Sequence, residues 1–107
     1  MGIDVIFAPL GIPVCHPPYS GAARTFLTYQ YMGQTGNFYA ESREAETGAS
    51  FALDLFTDGE YMQLIRDIKA FAEAANYTCI VDQEMYEQDT GLRHIAMTAT
   101  VAEEIYG

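Results

Sequence analysis

The feature that most constrains the fold is a change of hydrophobic period within one short stretch of the chain. Residues 49–57, ASFALDLFT, alternate like a strand and place Phe51, Leu53 and Leu55 on one face. Apolar residues then recur at helical spacing over residues 58–75, namely Tyr61, Leu64, Ile65, Ile68, Ala72 and Ala75. Because both apolar surfaces must be buried, the pattern predicts a sheet with a helix packed on one face.

Terminal signals set the predicted length of this helix. Thr57 and Glu60 have the spacing of a capping box, which predicts that the helix begins at residue 58. Asn76 is typical of a residue that ends a helix in the left-handed conformation. We therefore expect one long amphipathic helix over residues 58–75.

The rest of the chain is rich in strand signals. Residues 3–8 fit a short helix or a strand, and residues 14–21, with two adjacent prolines, fit an extended edge segment. Strands are predicted at 24–32, 77–88 and 92–101. The expected class is α+β: an antiparallel or mixed β-sheet with one long amphipathic helix and a possible short N-terminal helix packed on one face. Residues 1–107 are expected to form a single domain.

Charge limits the possible partners. Fifteen acidic residues against five basic ones give a formal charge of −10, which disfavours nucleic acid and anionic membranes and favours a basic partner. No apolar run is long enough to span a bilayer, so we expect a soluble protein. Cys15 and Cys79 lack metal or redox spacing and are expected to be reduced and packed.

Asp89-Thr90-Gly91 matches the catalytic tripeptide of aspartic peptidases, in which two aspartates share a proton across a dimer. An apolar strand end should precede it and substantial β-structure should follow. Here residues 86–88 are Tyr-Glu-Gln, and only sixteen residues follow Gly91. The sequence favours a turn in which Asp89 accepts local backbone hydrogen bonds and Gly91 supplies a positive φ. A dimeric peptidase is the weaker alternative.

Other catalytic or metal-binding arrangements are weak. His94 with Glu84, Glu87 and Asp89 suggests a metal site, but Glu84 and Glu87 should point to opposite faces of a strand. We expect His94 instead to be a strand residue at the hairpin that is hydrogen-bonded across it. No nucleophile motif or nucleotide-binding loop occurs, so no catalytic residue, metal or cofactor is predicted. An aromatic series is attributed to core packing and a partner-facing tyrosine patch: Phe26, Tyr29, Tyr31, Phe38 and Tyr39.

Several segments together resemble the small tail-completion, or head–tail joining, proteins of long-tailed bacteriophages. The similarity runs through the aromatic strand with Thr28-Tyr29, the strand with Leu53-Asp54-Leu55, and the helix end Ala74-Ala75-Asn76-Tyr77. It is most specific in the hairpin with Tyr86, Glu87, Asp89, Thr90, Gly91 and His94.

This resemblance implies a structural protein without enzymatic activity or cofactor. Members assemble as a ring, usually of six copies, between the head and the tail tube. The implied partners are further copies of the chain and portal, connector or tail tube proteins, with no sequence-specific nucleic acid and no membrane. The implied location is the head–tail junction of the virion, after synthesis in the bacterial host cytoplasm.

Two groups of residues follow as site hypotheses. The expected assembly interface contains His16, Pro17, Tyr19, Glu41, Arg43, Glu44 and Glu46. The hairpin residues are expected to maintain the fold: Tyr86, Glu87, Asp89, Thr90, Gly91 and His94. An alternative function is an acidic adaptor or inhibitor domain that binds a basic protein.

Overall fold

A computed structural model describes residues 2–34 and 46–104. Two short helices, α1 (Ile3–Phe7) and α2 (Met62–Ala74), accompany a 3-10 turn at Ala8–Leu10. The strands are β1 (Val14–Cys15), β2 (Phe26–Gln34), β3 (Glu46–Thr57), β4 (Thr78–Glu87) and β5 (Leu92–Glu104). The predicted α+β class is confirmed, and the first element, which the sequence left open, is a helix.

The strands form one five-stranded sheet with the order β1-β2-β3-β5-β4. Strands β2, β3, β5 and β4 are joined by antiparallel pairings, whereas β1 runs parallel to β2, so the sheet is mixed. β1 pairs only with Leu27 and Thr28 of β2. The segment with adjacent prolines therefore follows a short edge strand, where proline costs no ladder hydrogen bond.

The main core lies between one face of the sheet and the two helices. Leu27, Leu53 and Ile95 from the sheet are fully buried, as is Ile68 of α2. Phe7 of α1 joins the same cluster. The alternation of β3 and the apolar stripe of α2 thus meet as the sequence predicts, because each can leave water only against the other.

The predicted start of the long helix is wrong. Thr57 is the last residue of β3, where its buried hydroxyl hydrogen-bonds to Thr25 Oγ1 at 2.9 Å and accepts from Gly59 N at 3.1 Å. Glu60 instead accepts from Met62 N at 2.7 Å, and the helix has 13 residues. Thr57 cannot cap a helix that starts at Met62, because tertiary packing holds it in the sheet.

The predicted end of this helix agrees with the structure. Asn76 has φ of 68°, in the left-handed region. Its amide donates to Glu73 O at 2.9 Å, and Tyr77 N donates to Ala72 O at 2.9 Å. These two bonds are those of a Schellman motif, which satisfies carbonyls left unpaired at a helix C-terminus.

The opposite face of the sheet carries a row of stacked rings. Tyr19 stacks on Phe26 at 4.1 Å between ring centroids, Phe26 on Phe56 at 4.8 Å, and Phe56 on His94 at 4.2 Å. Phe26, Phe56 and His94 occupy directly opposite positions on β2, β3 and β5. The segment after β1 folds over this end of the face and supplies Tyr19. His94 is thereby placed on a surface remote from the helix-covered core.

Candidate functional site

The tripeptide Asp89-Thr90-Gly91 lies in the connection between β4 and β5. Gly91 has φ of 75°, a conformation that favours glycine, and its amide donates to Glu87 O at 2.8 Å. The Thr90 hydroxyl donates to Glu87 Oε1 and accepts from Leu92 N, each at 3.3 Å. Backbone geometry and the Thr90 side chain therefore account for the turn.

Asp89 differs from its predicted role. We expected its carboxylate to accept local backbone hydrogen bonds, but it is exposed and bonds to no described residue. Thr90 takes the local bonds instead, because its hydroxyl lies next to Leu92 N. An exposed carboxylate keeps its solvation and is not in the water-excluded setting in which two aspartates share a proton.

A cation anchors this turn to the rest of the molecule. Arg24 Nη2 donates to Thr90 O at 2.7 Å, while Arg24 Nε donates to Asp58 Oδ2 at 2.7 Å. The arginine therefore joins three parts of the chain that are distant in sequence. Both ends of the ion pair are about half exposed, so its Coulombic contribution is screened by solvent.

His94 lies between two carboxylates on three adjacent strands. Its Nε2 is 2.7 Å from Asp54 Oδ1 on β3, and its Nδ1 is 3.4 Å from Glu87 Oε2 on β4. The His94 side chain is only 19% exposed and that of Asp54 28%. The sequence predicted a contact across the hairpin, which Glu87 supplies. It missed the shorter contact with Asp54, although the alternation of β3 had placed Asp54 on the polar face.

A shallow cleft of about 510 Å³ separates the start of α2 from the β4–β5 hairpin. Arg93 lies over the rings of Tyr61 and Tyr86, at 5.5 and 5.9 Å from their centroids, and pairs with Glu84 at 2.9 Å. Tyr61 Oη donates to Glu84 Oε1 at 3.3 Å. This hydrogen bond raises the pKa of Tyr61, because the carboxylate stabilises the protonated phenol. The guanidinium of Arg93, which lines the cleft, is therefore already paired with Glu84.

The described members of the predicted assembly group lie in separate places. His16 and Pro17 are exposed beside β1, where His16 Nδ1 donates to Tyr29 O at 3.1 Å. Tyr19 turns toward the sheet, stacks on Phe26 and accepts from Ala23 N at 3.0 Å. Glu46 begins β3 opposite Glu104. Glu41, Arg43 and Glu44 lie outside the described residues, as do Phe38 and Tyr39 of the aromatic series.

Exposed apolar side chains occupy both edges of the sheet. On β2, Tyr31 is 52% and Met32 61% exposed. On β4, Ile80 is 53% and Val81 42% exposed. Sequence reasoning had singled out only Tyr31, because an apolar residue in a strand is indistinguishable from a core residue until the strand order is known.

Within the ranges 2–34 and 46–104, no group of three or more His, Cys, Asp or Glu side chains is arranged to hold a metal ion. Over the same ranges, no helix has both the length and the apolar character needed to cross a bilayer. Cys15 and Cys79 are both free, and burial raises the pKa of the Cys79 thiol to about 11.

Comparison with known proteins identifies a similar fold. No protein-family model matches the sequence, and no curated protein is significantly similar to it. Among solved structures, the chain is similar to one in the virion of a native gene transfer agent (GTA) particle. The match has a TM-score of 0.58 at 15% identity and covers 94% of this chain and 84% of that one. At this identity the similarity establishes a shared fold.

Proposed function

We propose that the protein is a structural subunit of a phage or phage-like virion. The observation that carries the proposal is the similarity in fold to a chain of the gene transfer agent virion, which extends over 94% of this chain. Such coverage extends over most of the fold rather than over one common motif. Because folds host many functions, the proposal also needs support from the surface of this molecule.

Within that class, we place the protein at the head–tail junction as a tail-completion or connector ring subunit. The residue pattern of the Asp89–His94 hairpin supports this finer assignment through its resemblance to that family. Exposed apolar residues at two sheet edges also suit a chain that associates with its own copies. The partners would be those copies together with portal or tail tube proteins.

The same proposal assigns no catalytic activity to the chain. Asp89 is an exposed turn residue, and the cationic groups of Arg24 and Arg93 are engaged in structural contacts. The half-buried His94 is held between carboxylates and stacked on Phe56, an arrangement that positions a ring within the fold. In a hexameric virion ring, these groups would stabilise the fold of each subunit and would not take part in a reaction.

Light scattering from micromolar to millimolar protein, followed by negative-stain electron microscopy, tests the assignment. We expect a closed ring of about six copies, formed either by the protein alone or on a purified tail tube or portal. A monomer that joins neither structure but captures a basic protein in a salt-sensitive manner would support the adaptor alternative. A discrete dimer with peptidase activity that Asp89→Asn abolishes would overturn the structural role.

A further inference from the structure

Each of the two edge strands of the sheet has a stretch without an outer partner strand among the described residues, and the two stretches occupy corresponding positions along the strands. β1 pairs only with Leu27 and Thr28, and Tyr29 O already accepts from His16 Nδ1, so residues 30–34 of β2 have no partner strand on their outer side within the described chain. At the other edge, β4 has no outer neighbour among the described strands. Unpaired edges offer free amides and carbonyls to another strand, and natural proteins usually protect them.

The strand register shows which parts of these edges correspond. Reading straight across the sheet, Tyr31 lies level with Cys79, Gln30 with Ile80, and Tyr29 with Val81. The uncovered half of β2 is therefore level with the apolar half of β4. The half of β2 that β1 covers is level with Gln83 and Glu84.

Only the second half of β4, after Val81, carries features that discourage pairing with another strand. A bulge interrupts its pairing between Val81 and Gln83. Beyond it, the carboxylates of Glu84 and Glu87 are held by Arg93 and His94. Bulges and charges are the devices that discourage edge pairing, and residues 78–81 lack both. Ile80 and Val81 are thus exposed on a segment that is open to another strand.

We propose that residues 78–80 of β4 pair with residues 30–33 of β2, a stretch that includes the bulge at Met32, in a second copy of the chain, continuing the sheet from subunit to subunit. Three successive antiparallel pairings separate β2 from β4, so the two strands run in opposite directions. A second copy placed beside the first with its sheet continuing in the same plane therefore meets it in antiparallel fashion. The inference rests on the proposed ring assembly and specifies its contact surface.

Charge favours this head-to-tail contact over symmetric ones. Antiparallel pairing of two β4 strands along their full length would bring Asp82 and Glu84 of one copy beside the same residues of the other, which is repulsive. Residues 30–34 of β2, QYMGQ, carry no charge. Pairing of β2 with β2 avoids repulsion but leaves Ile80 and Val81 in water. The β4-to-β2 contact buries both apolar edges in one interface, and such a heterologous contact forms a ring when the rotation between neighbouring subunits closes.

Disulfide trapping distinguishes these arrangements. Gln30→Cys and Ile80→Cys place thiols at positions that face each other only across the proposed contact. Cys15→Ser removes the accessible native thiol, whereas Cys79 stays because it is buried. Under mild oxidation at high protein concentration, we expect the double variant to form a ladder of dimers, trimers and larger species. Each single variant should stay monomeric on a denaturing gel.

Every outcome decides the inference. A ladder supports the contact. Dimers from Gln30→Cys alone, or from Ile80→Cys alone, indicate symmetric edge pairing and overturn it. Absence of any cross-link also overturns it. Light scattering on the same samples then separates two failures: rings without cross-links leave the proposed function intact, and monomers with no assembly on a tail tube or portal contradict that function as well.

A second pair of variants guards against misfolding of the cysteine variants. Ile80→Lys adds a charge at the proposed contact, and Val5→Lys adds the same charge on α1, where Val5 is 55% exposed. We expect Ile80→Lys to weaken self-association by at least tenfold in concentration, while Val5→Lys leaves it unchanged. Equal effects of the two substitutions would contradict the contact. Far-ultraviolet circular dichroism establishes that each variant is folded.

Discussion

The contact between His94 and Asp54 joins β5 to β3 on the face away from the helices, and its removal should be measurable. The two side chains meet at 2.7 Å with only 19% and 28% of their surfaces exposed. A hydrogen bond to a charged group contributes about 1.5–3 kcal/mol, and loss of the Phe56 stack adds about 0.5–1.5 kcal/mol. We expect His94→Ala to lower the free energy of unfolding by about 2–4 kcal/mol.

A double-mutant cycle isolates the pair itself. Urea unfolding of the wild type, His94→Ala, Asp54→Ala and the double variant, at one fixed protein concentration, should give a coupling energy of about 1–2 kcal/mol. Fixing the concentration matters because self-association would also stabilise the folded chain. Gln88→Ala, an exposed change in the same hairpin, serves as the control and should alter stability by less than about 0.5 kcal/mol. A coupling energy near zero would refute the reasoning.

Three further predictions concern the turn, the helix and the buried thiol. Gly91→Ala should cost about 1–2 kcal/mol in urea unfolding, because its φ is 75° and the new Cβ would lie 3.4 Å from Arg24 Nη2. Asn76→Ala should cost about 1 kcal/mol while Asn76→Gly costs nothing, and equal losses would contradict the Schellman ending. Cys79, whose pKa burial raises to about 11, should resist thiol reagents at mildly alkaline pH until denaturant is added. Labelling of native protein would contradict its burial.

Sequence signals that act within a few residues predicted the secondary structure correctly where tertiary packing allowed the conformation that they favour. The alternating pattern that contains Leu53 and Leu55 predicted strand β3 correctly, because both side chains are fully buried on the core face of the sheet. Asn76 correctly marked the end of α2, because its left-handed conformation depends on interactions within a few residues. The prediction that Thr57 caps the helix was wrong for a physical reason: its hydroxyl hydrogen-bonds to Thr25, and this contact between distant segments outweighs a helix cap.

The candidate surfaces were harder to predict than the elements. A strand sequence shows which side chains share a face but gives no information about which strand lies at the edge. Ile80 and Val81 therefore resembled core residues, and only the order β1-β2-β3-β5-β4 leaves them exposed. The partner of His94 was hidden likewise, because Asp54 is 40 positions away in the chain.

By itself, the sequence determined the α+β class, the acidic character of the chain, the hairpin around Gly91 and the residue at which α2 ends. Each of these depends on interactions within a few residues or on composition. Only the tertiary structure decided where α2 begins, which carboxylate meets His94, and which two edges remain open at the same level. These depend on contacts between segments far apart in the chain, whose register is fixed when the sheet and its helices pack together.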